Sequence, residues 1–254
     1  MKNLLRRIKF NLLYPSRLLT LPIDKVLGFY YSITNRKFNF SKELSVVFKT
    51  KYILPNAISD HLQFLYNYIR NNNIINILEL GVNEGFTTRT FLAALSDIKA
   101  GELISIDIND YSKLSFKNEK LFKKWKFIQS CDITFSRRLP KYLNDNNLSN
   151  SFDLLFIDTS HTYFHTYLEL ILYSKYVKTN GSIILHDSNF GILYKRKDHS
   201  LGFGFDNKNG VYRAIEDFFQ ISFDYNEHFQ FSNENFEINH IPYCCGLTII
   251  KLLK

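Results

Sequence analysis

From residue 74 onward, short apolar runs alternate with stretches whose apolar residues recur every three or four positions. The runs at 74–80, 103–108, 126–129, 152–157 and 182–185 predict strands, and the segments at 85–95, 116–124, 137–143 and 162–177 predict the helices between them. Thr179-Asn180-Gly181 predicts the turn into the fifth strand. The strands lack polar alternation, so they belong in a parallel sheet covered on both faces. The expected fold is therefore α/β, a doubly wound, mostly parallel Rossmann-like sheet with helices on both sides. Upstream, Ile58, Leu62, Leu65, Tyr66 and Ile69 predict a helix within 52–70, stopped by Asn71-Asn72-Asn73. Downstream, a loop with Gly202, Gly204 and Gly210 leads to a helix over 211–219 and two β runs near 221–225 and 247–252.

The first 36 residues have a different character. Leu4, Leu5, Ile8 and Leu12 repeat at helical spacing among Lys2, Arg6, Arg7 and Lys9, and Pro15 separates a second apolar patch. One reading is a basic helix lying on an anionic membrane. The favoured reading is an N-terminal helical arm, docked on the domain or on a second subunit of a homo-oligomer. The expected division is 1–51 for this arm and 52–254 for the α/β domain.

Composition narrows the classes. Hydrophobic residues at 45% of 254 exclude wholesale disorder, and no apolar run is long enough to cross a bilayer. Cys131, Cys244 and Cys245 cannot form a disulfide framework, which suits the cytoplasm or its membrane face. The net charge of +8 attracts phosphates of any kind, although a general skew to Lys, Asn and Ile accounts for part of it.

In an open α/β sheet, ligands bind beyond the carboxyl ends of the strands. The first strand ends Glu79-Leu80-Gly81-Val82-Asn83-Glu84-Gly85-Phe86-Thr87, where two glycines permit a tight turn before a helix start. It is neither a dinucleotide fingerprint nor a P-loop. The second ends in Asp107, suited to accept from ribose hydroxyls or to cap a helix. The third ends Ser130-Cys131-Asp132. The fourth ends Asp158-Thr159-Ser160-His161 and the fifth His186-Asp187-Ser188-Asn189. Two neighbouring strands thus deliver a carboxylate each to one rim, either to hold a hard divalent ion or to place a base beside a hydroxyl. His186 reads most simply as a buried histidine satisfied by backbone.

Residues 74–187 resemble a class I S-adenosylmethionine-dependent methyltransferase. The Glu79-Leu80-Gly81…Gly85-Phe86-Thr87 turn resembles that of the catechol O-methyltransferase-like branch. Ile157-Asp158-x-x-His161-x-Tyr163, Asn180-Gly181, His186-Asp187 and Gly210-Val211-Tyr212-Arg213-Ala214-Ile215 resemble bacterial sugar O-methyltransferases of macrolide and aminocoumarin biosynthesis and cephalosporin hydroxylase-associated proteins. The resemblance implies that Gly81 and Gly85 face the methionine part of S-adenosylmethionine, with Glu79 closing the turn and Thr87 at the helix start. It implies Asp107 on the ribose, Cys131 and Asp132 at the adenine, and Asp158 at the cofactor and acceptor. It further implies Asp158, His161 and Asp187 as catalytic residues, and Asp158, Asp187 and Asn189 as oxygen ligands for magnesium. Ser160 and Ser188 stand where the family often has acids. The implied activity is O-methylation of a small-molecule, sugar or glycan acceptor. A non-catalytic partner protein and an RNA-directed methyltransferase are the alternatives. Nucleic acid is disfavoured, because no Asp/Asn-Pro-Pro-Tyr tetrapeptide occurs. The pair His161 and His165 lacks the glutamate of a zinc-protease motif.

Overall fold

The computed structural model describes residues 37–111 and 123–254. The readings of residues 1–36 as arm or membrane helix, and almost all of the helix expected over 116–124, lie outside the described residues. An eight-stranded sheet organises the rest. Its parallel half comprises β3 (Asn76–Leu80), β4 (Glu102–Asp107), β5 (Trp125–Gln129), β6 (Phe152–Ile157) and β7 (Val177–His186), in the spatial order β5-β4-β3-β6-β7. Beyond β7, the strands β12 (Leu247–Leu252), β11 (Phe236–Ile241) and β10 (Phe229–Ser232) continue the sheet antiparallel. The chain builds outward from β3 to β5, then returns to the other side of β3. The reversal lies between β3 and β6, where the carboxyl ends leave a crevice.

Period-two alternation explains the continuous apolar strands, because each strand feeds two cores. Ile77, Leu103, Phe156 and Ile184 face one side, under α2 (Ser59–Asn71) and α3 (Phe86–Ile98), which contribute Leu62, Leu65, Phe91 and Leu95. Leu78, Ile104, Leu155 and Ile183 face the other side. There α5 (Leu139–Asp145), α6 (Tyr163–Tyr173) and α7 (Gly210–Phe219) supply Leu139, Leu143, Leu170 and Ile215. The short α4 (Asp132–Phe135) precedes α5.

Several boundaries differ from expectation. The division at residue 51 falls between paired strands: β1 (Phe38–Asn39) and β2 (Tyr52–Ile53) pair across α1 (Lys42–Phe48). Leu44 is fully buried and Phe48 stacks on Phe86 at 5.8 Å, so residues 38–53 belong to the domain core. The turn at 179–181 is an excursion within β7, which pairs Phe152 with Val177 and then Leu154 with Ser182. Segment 221–225 forms no strand: Phe223 is buried against Tyr212, whose hydroxyl donates to its carbonyl. The edge hairpin of β10 and β11 takes its place, unforeseen because the outer strand is mostly exposed and carries little apolar pattern. A further hairpin, β8 (Leu193–Lys195) with β9 (Leu201–Phe203), fills the loop before α7. Among the described residues, no helix is long and apolar enough to cross a membrane.

Candidate active site

One side of the crevice, where the methyl donor is expected, is built on the β3–α3 turn. Gly81 has φ +90°, and a Cβ there would stand 2.0 Å from the Asp158 carbonyl oxygen. Only glycine lets this turn press against the chain leaving β6. Beneath it, Glu79 is fully buried and accepts from Thr87 Oγ1 (2.7 Å), Thr88 Oγ1 (2.8 Å) and Ser105 Oγ (2.5 Å). Burial pushes its carboxyl up to about 7, against the pull of those three hydroxyls. Glu79 and Thr87 therefore hold the turn from below, rather than reaching into the crevice. Asp107 lies at the rim. Its Oδ2 accepts from the Val82 amide (2.8 Å) and its Oδ1 from the Asn109 amide (2.8 Å), so its carboxylate is fixed beside the turn.

The third strand end divides. Cys131 is exposed before α4, as an adenine-edge residue would be. Asp132 is buried and turned away, with its Oδ2 2.7 Å from His165 Nε2 on α6. Both residues are expected to border the adenine; the carboxylate of Asp132 is instead engaged inside the α4–α6 contact, while Cys131 stays at the surface.

The ends of β6 and β7 gather Asp158, His161, His186 and Asp187. His161 and Asp187 both adopt left-handed backbone conformations, with φ 57° and 60°. That conformation is costly for a non-glycine residue and is found where surrounding structure demands it. It brings His161 Nδ1 to 3.0 Å from Asp187 Oδ2 and 3.9 Å from Asp158 Oδ1. The His161 ring packs edgewise against Phe190, and Phe205 lies at the same centroid distance of 5.9 Å.

His186 carries more than the backbone contact expected of it. Its Nε2 does meet the Ala57 carbonyl at 3.2 Å. Its Nδ1, however, lies 3.0 Å from Asp187 Oδ1 and 3.3 Å from Asp158 Oδ1. Acceptors at both ring nitrogens require both to donate, so the ring is an imidazolium. Burial alone would discharge it; the Asp187 and Asp158 charges outweigh that and hold its proton well above the usual histidine range. Burial would likewise raise Asp187, but the His186 and His161 charges bring it below the usual carboxylate range. The signal for this role was in the sequence: a histidine directly before the strand-end acid, with a second acid due on the adjacent strand.

Magnesium fits this donor set poorly. Asp158, His161 and Asp187 place one possible ligand atom each within 4.8 Å of one another, yet the third is an imidazole nitrogen, and magnesium selects oxygen. A buried cation, His186, already lies against both acids. The Asn189 amide nitrogen donates to the Pro242 carbonyl at 3.0 Å, and the Ser160 hydroxyl pairs with Thr162 at 3.2 Å.

Two surface clefts, of about 320 and 550 Å³, lie elsewhere, lined by residues such as Asn72, Asp153, Gly181 and Lys251. In the first, Asp153 is engaged by the Ile75 and Asn76 amides and by Lys178, which is a structural tie. The convergent chemistry is at the sheet's carboxyl end.

The family model of a methyltransferase domain matches residues 78–188, from within β3 to just past β7. No curated protein matches the chain. Among solved structures, a Staphylococcus aureus protein provisionally called a caffeoyl-CoA O-methyltransferase superposes with a TM-score of 0.53 at 18% identity, over 90% of this chain and 98% of that one. The O-methyltransferase from Bacillus cereus in complex with SAH gives 0.52 at 14% identity, over 76% and 80%. MycE, a methyltransferase of the mycinamycin biosynthetic pathway in complex with Mg, SAH and mycinamycin VI, gives 0.51 at 17% identity, over 82% and 53%. At these identities, what the three share with this chain is the fold. The matched segment is that of a methyltransferase domain, and the fold is the one on which O-methyltransferases bind S-adenosylhomocysteine.

Proposed function

We propose that the chain methylates a hydroxyl oxygen of a sugar or related polyol, with His161 as general base and without a metal ion. The observation that carries this reading is the His161–Asp187 pair at 3.0 Å, at the carboxyl end of the sheet. The Asp187 carboxylate beside Nδ1 favours the tautomer with its proton there and so leaves Nε2 as the proton acceptor. The acceptor oxygen attacks the methyl carbon, the methyl–sulfur bond breaks, S-adenosylhomocysteine departs, and the hydroxyl proton passes to His161 Nε2. The His186 imidazolium keeps the acids in place and offsets their repulsion. A sugar is favoured because a poor nucleophile needs such a base, and because the half-buried Phe205 ring beside His161 offers apolar surface for the C–H side of a pyranose. The motif resemblance to sugar O-methyltransferases supports the same class.

The test incubates pure protein and S-adenosylmethionine with a panel of sugars, nucleotide sugars and lipid-linked sugars, and detects methylated product by mass spectrometry. His161→Ala should lower kcat by roughly 10²–10⁴-fold while S-adenosylhomocysteine binding is kept. An unchanged kcat removes His161 from the mechanism. Adding or withholding magnesium should leave turnover unchanged; a rate that depends on it overturns the metal-free reading. Ser160 and Ser188, in place of acids, favour one second reading, a non-catalytic partner protein. Cofactor binding with no turnover across the panel would select it.

A further inference from the structure

α6 carries a second cluster, on the side facing the β5–α4 turn. His165 and Glu169 lie one helical turn apart, and Asp132 meets them from the start of α4. His165 Nε2 is 2.7 Å from Asp132 Oδ2 and 3.7 Å from Glu169 Oε1, and the three residues each place a donor atom within 4.8 Å of the others. Thr159 Oγ1 donates to Glu169 Oε1 at 2.8 Å. Glu169 has no exposed surface, and its Oε2 is buried without a hydrogen-bond partner. Asp132 is also buried, whereas His165 keeps 26% of its side chain exposed.

Two buried carboxylates against one imidazole leave negative charge uncompensated, and buried charge is costly unless neutralised. A proton shared between the two carboxyls would neutralise it in part. A divalent cation would neutralise it fully, and a Glu169 carboxylate bound through both oxygens would give the orphaned Oε2 a partner beside Oε1. One imidazole nitrogen and two carboxylates from two elements, with a fourth position left for water, are a zinc donor set. Tetrahedral zinc places its donors about 3.3 Å apart. The 2.7 Å contact would open, and the 3.7 Å contact close, by about half an ångström each. The exposed edge of His165 gives the ion a way in.

The geometry points to a zinc site formed by Asp132, His165 and Glu169, separate from the His161–Asp187 pair and clamping the end of β5 to α6. The test uses the full chain, stripped of metal and titrated with zinc against a chromophoric chelator, and with cobalt as a visible-absorbance reporter. One ion per chain is expected, with the absorbance of a four-coordinate site. His165→Ala and the near-isosteric Glu169→Gln should each weaken zinc by about a hundredfold or more, while His161→Ala binds as the parent does. S-Adenosylhomocysteine binding by both variants confirms that they fold and is read independently of the methyl-transfer proposal. No zinc uptake overturns the site and leaves the shared proton as the neutralising group. Uptake lost in His161→Ala but kept in His165→Ala overturns it by assigning the ion to the other cluster.

Discussion

At the scale of single residues, neighbouring histidines hold opposite charge states. His61 and His186 have ring centroids 5.6 Å apart. His186 faces two carboxylates and stays charged, whereas His61 faces the Tyr243 and Cys244 carbonyls at 2.9 and 3.2 Å. Burial, reinforced by the charge of His186, lowers His61 to about 3. Position relative to carboxylates, not residue type, sets the charge state. Asp107 shows the same economy, since one carboxylate both fixes the turn amides and lies where ribose hydroxyls are expected. Asp107→Ala removes both contributions, so S-adenosylhomocysteine affinity should fall about tenfold or more. Calorimetric titration checks this, and an unchanged dissociation constant would place the ribose elsewhere. The positions of candidate residues were only partly legible in the sequence. Asp107, Asp158, His161 and Asp187 announce themselves at strand ends. The inward turn of Asp132 depends on His165, 33 residues away, and no local pattern reports such a pairing.

At the scale of elements, the β3–α3 turn is the tightest constraint. Gly81→Ala would drive a Cβ into the Asp158 carbonyl and force a side chain into φ +90°. The two effects together should cost at least about 2 kcal/mol. A lowered thermal midpoint and lost S-adenosylhomocysteine binding would show it, and a variant as stable as the parent would contradict the close approach. The parallel strands and their helices were readable because burial on both faces writes an unbroken apolar run. The antiparallel extension was less so. β10 is half-exposed to exposed throughout, and Phe223 and Tyr225 carry strand-like residues into a segment that packs around Tyr212 instead. The β1–α1–β2 unit was missed for a related reason: two-residue strands leave almost no periodic trace.

At the scale of the whole molecule, buried titratable groups shape how stability depends on pH. His61 and His240, lowered from 6.5 to about 3 and about 4, stay neutral in the fold while the unfolded chain takes up protons below pH 6.5. Each therefore removes stability as pH falls. Glu79, raised from 4.5 to about 7, and Glu169, raised well above 4.5, act in the opposite sense, because the folded chain keeps protons that the unfolded chain has lost. From pH 6.5 to 4.5 the two glutamates oppose the two histidines, so urea midpoints should change little. Above pH 6.5 the folded chain holds the extra protons of Glu79 until about 7, of Glu169 and of His186, so midpoints should fall as pH rises. His61→Gln removes one opposing histidine, so the variant should gain about 1.4 kcal/mol per pH unit as pH falls from 6.5 to 4.5. A variant whose midpoint stays level over that range would refute these charge states.

The point where the sheet reverses direction has one more consequence. On the proposed function, the wall that receives the methyl donor is spun from chain before residue 132, whereas the wall facing its recipient comes from chain after residue 157, including the hairpin between His186 and Gly210. The two walls meet at Gly81 and Asp158. Such a seam makes the hairpin exchangeable: transplanting that stretch from another chain would redirect the catalyst to new recipients while leaving its loading with methyl groups untouched.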